Sequence, residues 1–326
     1  MTEITSTSPP TPTRANNFSL LRMLFASLVV VSHSSDMIYG DPLHDILTRI
    51  FGTISFGTLA VDGFFIISGY LITQSFFSSS RASYLLKRLL RIYPGFIVAF
   101  LFSILLCVYF SAYQPPITHK EIFNNIVNVT LLMEPFLSSV YPGSFHPGLN
   151  GSMWSISYEF HCYLMVILLA YVGLFQRKNL LLAITGIFLF ILLFHPTIYV
   201  PGSADVAPFV PQPISLPARA WRDLLSVTLE WPLVDVRLFG MFLSGCCFYV
   251  FRESVAYHGR LAAVAALVLI ICMFFAPLAE PAVAVFGGYL IFCSPSRSNR
   301  SRPADSSTRQ TCPTESTSTP GPYKKS

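Results

Sequence analysis

Four ionisable side chains stand inside stretches otherwise built of Leu, Val, Ile and Phe: Arg22, His33, Asp62 and Glu159. In hydrocarbon such a group is costly unless it is paired or hydrated, so each needs a partner or a role. Arg22 and His33 are eleven residues apart, which on an α-helix is three turns plus about 20°; they share a face, about 16 Å apart along the axis. An imidazole near a carboxylate can act as general base toward a hydroxyl, because the carboxylate fixes its tautomer and stabilises the imidazolium that forms. Glu159 lies about 7 Å along a helix from Trp154, an aromatic of the kind that anchors at a membrane interface, so Glu159 and His33 are expected at similar depth. Plainer readings stand beside these. Arg22 can reach to the headgroups, His33 can be a hydrogen-bonded packing residue, and Asp62 and Glu159 can be ion partners of Arg22, Arg88 or Arg91. His161 points to a different helix face from Glu159, and His44, His119 and His146 fall in expected outer loops and carry no assigned role.

The elements that hold these residues are predicted to be membrane spans. Of 326 residues, 53% are hydrophobic and only 11% charged, against roughly 25% charged in a soluble domain. Apolar runs near the roughly 20 residues that a span needs recur at about 18–39, 51–76, 92–112, 153–175, 179–200, 233–251, 260–279 and 281–293, the last being short. The fold expected is all-α, a polytopic transmembrane helical bundle of about eight spans, with the lipid bilayer as its surroundings. With the N-terminus cytoplasmic, the loops at 77–91 (Arg81, Lys87, Arg88, Arg91), 176–178 (Arg177, Lys178) and 252–260 (Arg252, Arg260) lie inside, where basic residues concentrate. The outer loops at 40–50, 113–152 and 201–232 carry only Arg49, Lys120, Arg219 and Arg222 over many more residues. Their Pro and Gly clusters predict irregular structure, with one surface helix around 120–133. The formal charge of +5 therefore reports topology, and no nucleic-acid partner is expected.

Residues 1–17 are predicted to be a disordered cytoplasmic segment, and the run that follows exceeds a signal core and is expected to stay as the first span. Residues 18–293 form the membrane domain. From Ser294 to Ser326 the composition turns to Ser, Thr, Pro, Arg and Lys, and the tail is expected to be disordered. The change interrupts an apolar run, as a truncated or shifted reading frame would. Seven cysteines with no CxxC spacing predict neither a disulfide framework nor a metal site.

In order along the chain stand Leu20-Leu21-Arg22 leading to His33, Val61-Asp62-Gly63-Phe64-Phe65-Ile66-Ile67-Ser68-Gly69-Tyr70, Leu86-Lys87-Arg88-Leu89-Leu90-Arg91-Ile92-Tyr93-Pro94 and Trp154-Ser155-Ile156-Ser157-Tyr158-Glu159, with a weaker match at Arg237-Leu238-Phe239-Gly240. This series resembles the bacterial acyltransferase 3 family of membrane O-acyltransferases over about residues 18–293. The resemblance implies about ten helices that move an acyl group, usually acetyl, from acyl-CoA to a hydroxyl of a cell-surface or exported glycan or lipid-linked saccharide at the bacterial inner membrane. By motif, His33 is then the base or the acyl-accepting residue, with Asp62 and Glu159 holding it or the acceptor hydroxyl. Arg22, Arg88 and Arg91 are then placed for the phosphates of acyl-CoA, which serves as donor substrate; no bound cofactor is implied. Family members continue with further helices where this chain becomes polar, which implies a destabilised or inactive form. The competing readings are an inactive truncated acyltransferase and a transporter or channel that uses the same four residues as an ion path.

Overall fold

A computed structural model describes residues 17–39, 44–110, 117–137, 150, 153–194 and 232–293. Every regular element among them is helical. The first helix, α1 (Asn17–Tyr39), is followed by a short α2 (Ile46–Phe51) and by α3 (Phe56–Phe77). Asp45 caps α2 by accepting from the Leu47 N–H at 2.8 Å, and its other oxygen accepts from the Phe56 N–H at 3.1 Å, so one buried carboxylate fixes both helix starts. Between them Gly52 stops α2 in the left-handed conformation, φ 74°. Then come α4 (Arg81–Phe110), α5 (His119–Thr130), α6 (Trp154–Tyr171), α7 (Lys178–Phe194), α8 (Pro232–Val250) and α9 (Gly259–Cys272). The last apolar stretch is α10 (Ala276–Ala282), a π-turn (Val283–Gly287) and α11 (Gly288–Cys293).

The central helix is α3, and it packs most extensively on α8. A Cβ at Gly69 would strike the carbonyl oxygen of Phe242, and one at Gly245 would strike that of Ile66, so the two backbones touch. Without a hydrophobic drive inside lipid, such small-residue contacts are how helices associate. Thr73 Oγ1 donates to Cys246 Sγ at 3.2 Å across the same seam. On its other side α3 packs antiparallel to α1: Gly63 accommodates the Phe25 ring and Gly57 the Ser32 side chain. The core around α3 is apolar, with Phe65, Ile66, Phe96, Phe100, Val166, Leu238 and Phe242 buried. The outer surface is apolar too: Leu20 and Val30 on α1, Val98, Leu101 and Leu105 on α4, and Phe190 and Phe194 on α7 are exposed. Water penalises that surface and lipid does not.

Among the described residues four stretches are long and apolar enough to cross a membrane: Phe18–Ser35, Phe56–Phe77, Arg81–Phe110 and Ala276–Cys293; Lys178–Phe194, Val236–Val250 and Gly259–Cys272 are shorter apolar helices. Two expected boundaries move. The stretch expected to begin at 281 begins at Ala276: Pro277 sits in the first turn, where its missing N–H costs nothing, and Pro281 lies inside α10, ahead of the π-turn. The basic segment expected as a loop through residue 91 is helical from Arg81, continuous with the apolar part of α4. The expected disordered ends, 1–16 and 294–326, and the outer loop at 201–231 lie outside the described residues.

Candidate active site

Three arginines from two helices gather on one place. Arg22 of α1 lies within electrostatic reach of Arg91 and Arg88 of α4 and of Glu159 and Tyr163 of α6. Arg22 and Arg88 are half-buried, whereas Arg91 is exposed. Arg88 donates from Nη2 to Ser75 Oγ on α3 at 2.9 Å, and its guanidinium carbon lies 5.7 Å from the Tyr84 ring centre and 5.5 Å from that of Tyr163. Two aromatic faces therefore orient it, an arrangement favoured by a planar guanidinium, which can stack on a ring as well as attract it. Its Nε is buried and has no hydrogen-bond partner among the described residues. Tyr84 is itself fixed by donating to the Tyr163 carbonyl at 3.1 Å. Glu159 accepts from the Tyr163 hydroxyl one turn along α6 at 2.5 Å. Three positive groups against one carboxylate leave an excess of positive charge in a partly desolvated place, a setting suited to phosphate or another polyanion.

Asp62 is placed differently. Its Oδ1 accepts from Arg237 Nε of α8 at 2.8 Å, and Arg237 also stands 3.8 Å from Glu280 Oε1 of α10. Asp62 and Glu280 are fully buried, and Asp62 Oδ2 is a buried oxygen with no hydrogen-bond partner among the described residues. The cation beside Asp62 is thus Arg237, not Arg22, Arg88 or Arg91. Because α1 and α3 run antiparallel with Phe25 against Gly63, Asp62 lies at a level between Arg22 and His33. His33 is half-buried near the Ser32–Gly57 contact, at the end of α1 that meets the start of α3. The structure therefore joins Glu159 to the arginine cluster, and Asp62 to Arg237 and Glu280. His161 stays on its own helix, with Nδ1 2.5 Å from the Ser157 carbonyl oxygen.

Sequence reasoning misses Tyr84 and Tyr163 as parts of the arginine site, gives Arg237 no role and passes over Glu280. The signal for the last two is the same one that marks Asp62, an ionisable residue in an apolar run. Among the described residues no group of His, Cys, Asp and Glu is arranged to hold a metal ion.

A family model described as an acyltransferase domain, the acyltransferase 3 model, matches residues 16–296. An O-acetyl transferase of Shigella phage Sf6 is 32% identical over 158 residues, which is 47% of this chain and 45% of that protein. Nodulation protein 10 of Rhizobium leguminosarum bv. viciae is 34% identical over 166 residues, 46% of this chain and 42% of that protein. Acyltransferase MdmB of Streptomyces mycarofaciens is 27% identical over 158 residues, 48% of this chain and 39% of that protein. The matches thus span less than half the length of these curated relatives. No solved structure matches.

Proposed function

The chain belongs to the acyltransferase 3 family, and from that membership we propose that it is a membrane O-acyltransferase moving an acyl group from acyl-CoA to a hydroxyl of a cell-surface or exported glycan. The observation that carries the reading is the convergence of Arg22, Arg88 and Arg91, with Glu159 and Tyr163, at a distance from His33 on the same first helix. An acyl-CoA has its phosphates at one end of a flexible arm and its thioester at the other. A phosphate site and a base about 16 Å apart along α1 suit a donor of that shape.

In this reading His33 takes the proton of the acceptor hydroxyl as the oxygen attacks the thioester carbonyl. The new C–O bond forms, the C–S bond breaks, and the proton passes to the departing CoA sulfur. Arg22, Arg88 and Arg91 bind the phosphates, Glu159 offsets their mutual repulsion before the donor arrives, and Asp62, paired with Arg237, holds α3 against α8 at a level between the arginines and His33. Acetyl is the group we favour, in keeping with the name of the phage relative. The chain crosses the bacterial inner membrane about eight times with a cytoplasmic N-terminus, so that the arginine cluster faces the cytoplasmic acyl-CoA supply. The basic residues at the helix ends near Arg81, Arg177 and Arg252 support that orientation.

The test follows release of CoA thiol from acetyl-CoA in membranes carrying the chain or His33→Ala, with and without a mixed glycan extract. Release that requires the extract and disappears in the variant is the expected result. Proton flux across the membrane that needs no acyl-CoA and depends on the same residue would replace the reading with a transporter.

A further inference from the structure

Residues 117–137 follow α4, where the sequence predicts an aqueous loop with a surface helix. Their polarity is the reverse of one. In α5 the side chains of Glu121, Asn124, Asn125 and Asn128 are buried, while Ile122, Phe123 and Ile126 are 48%, 49% and 57% exposed. A helix on a water-facing surface turns its apolar stripe inward. The inward asparagines bond the chain that follows. Asn125 donates to the Phe136 carbonyl at 2.7 Å and accepts from the Phe136 N–H at 3.0 Å, and Asn128 donates to the Glu134 carbonyl at 3.0 Å. The Met133 N–H donates to the Asn128 carbonyl at 2.8 Å. The non-helical segment 131–137 is thereby paired against α5, as irregular backbone must be where no water reaches it.

The depth of the segment can be measured against α4. Thr130 accepts from the Tyr93 hydroxyl at 2.8 Å, and Leu137 packs with Cys107, Ile104 and Val108. Tyr93 lies about 26 Å along α4 from its Phe110 end, whereas the partners of Leu137 lie within about 10 Å of that end. A helix of 12 residues is about 18 Å long, so α5 can run beside α4 over most of that interval. The turn follows at Leu131 and Leu132, the latter fully buried with φ 58°, and residues 133–137 lead back. Over the same interval α4, itself long and apolar enough to span, exposes Val98, Leu101, Phe102 and Leu105.

We propose that residues 117–137 are a re-entrant hairpin that enters and leaves the bilayer on the side of Phe110, and that the Ile122, Phe123 and Ile126 face of α5 lies against phospholipid acyl chains, continuous with the lipid-facing side of α4. The inference is independent of the reaction assigned above. It is tested on the full chain in phosphatidylcholine vesicles with p-benzoylphenylalanine installed in place of Phe123, or separately of Ile126, followed by photolysis and mass measurement. Each is expected to give an adduct heavier by one phospholipid, and Phe123→Cys is expected to resist a water-soluble maleimide until the protein is denatured. Should the variant at 123 fail to fold, the one at 126 and Ile126→Cys carry the test. Coupling to another part of the chain, or rapid maleimide labelling in intact vesicles, would overturn the proposal.

Discussion

Arg237 stands between two buried carboxylates, 2.8 Å from Asp62 and 3.8 Å from Glu280, and this grouping ties α3, α8 and α10 at one level. Removing one member of a buried pair leaves a charge in low dielectric and costs about 3–5 kcal/mol, whereas replacing the pair by apolar groups is often nearly neutral. Arg237→Met is therefore expected to lower the melting temperature in detergent by many degrees, and Asp62→Asn in the same chain is expected to restore part of the loss. Asp62→Asn that left stability unchanged but abolished acyl transfer would instead assign Asp62 to the reacting groups. A second expectation concerns Tyr163, whose hydroxyl holds Glu159 and whose ring faces Arg88. A hydrogen bond to a charged group contributes about 1.5–3 kcal/mol, so Tyr163→Phe should raise the KM for acyl-CoA about tenfold or more, since about 1.4 kcal/mol is a factor of ten. An unchanged KM with lowered kcat would move Glu159 away from donor binding and toward the chemical step. Asp62 and Glu159 are both legible in the sequence, because a carboxylate in an apolar run needs an explanation. Their partners are not: Arg237 is 175 positions from Asp62, and helical periodicity relates residues only within one helix.

At the scale of elements, the seam between α3 and α8 depends on Gly69 and Gly245 meeting backbone to backbone. A side chain there strikes a carbonyl oxygen, which has no rotamer by which to yield. Overpacking of a tight core costs about 1–3 kcal/mol, and Gly245→Val belongs at the upper end or beyond. Gly95 in α4 is the contrast, since nothing lies within 4 Å of a Cβ built there. Gly95→Ala should be neutral or stabilise by up to about 1 kcal/mol, as expected for a helix-interior glycine. Thermal unfolding followed by circular dichroism in one detergent compares the two, and equal melting temperatures would sink the close-contact account. The apolar runs make the helices themselves legible, and each expected span coincides with a described helix to within a few residues at most ends. The exceptions have local causes. A basic stretch such as Arg81–Arg91 looks like a loop by charge although its Leu, Arg and Lys residues are good helix formers, and Pro281 looks like a boundary although the helix that starts at Ala276 runs through it. The inverted polarity of α5 is a further case, for its asparagines answer to the backbone of residues 133–136, which no periodicity reveals.

On the scale of the whole molecule, the apolar outer surface and the charges at the helix ends answer different questions. Exposed Leu, Val and Phe on α1, α4, α7 and α9 identify the solvent as lipid; the charges decide which way round the bundle sits in it. Arg81 and Lys87 at the start of α4, Arg177 and Lys178 at the start of α7, Arg252 just after α8 and Arg260 at the start of α9 should share one side, the side that keeps Lys and Arg from being translocated. Under the proposed function that side is also where the donor waits, so topology and chemistry stand or fall together. Short epitopes inserted in the full chain near Ser79, near Gln176 and near Ser254 are expected to bind antibody only after cells are opened, and one inserted in the expected outer loop at 201–232 should bind on intact cells. The opposite pattern would place Arg22, Arg88 and Arg91 toward the outside, away from cytoplasmic acyl-CoA. The arginine cluster would then need a different anion, and the enzyme reading would need a donor supplied from the other face.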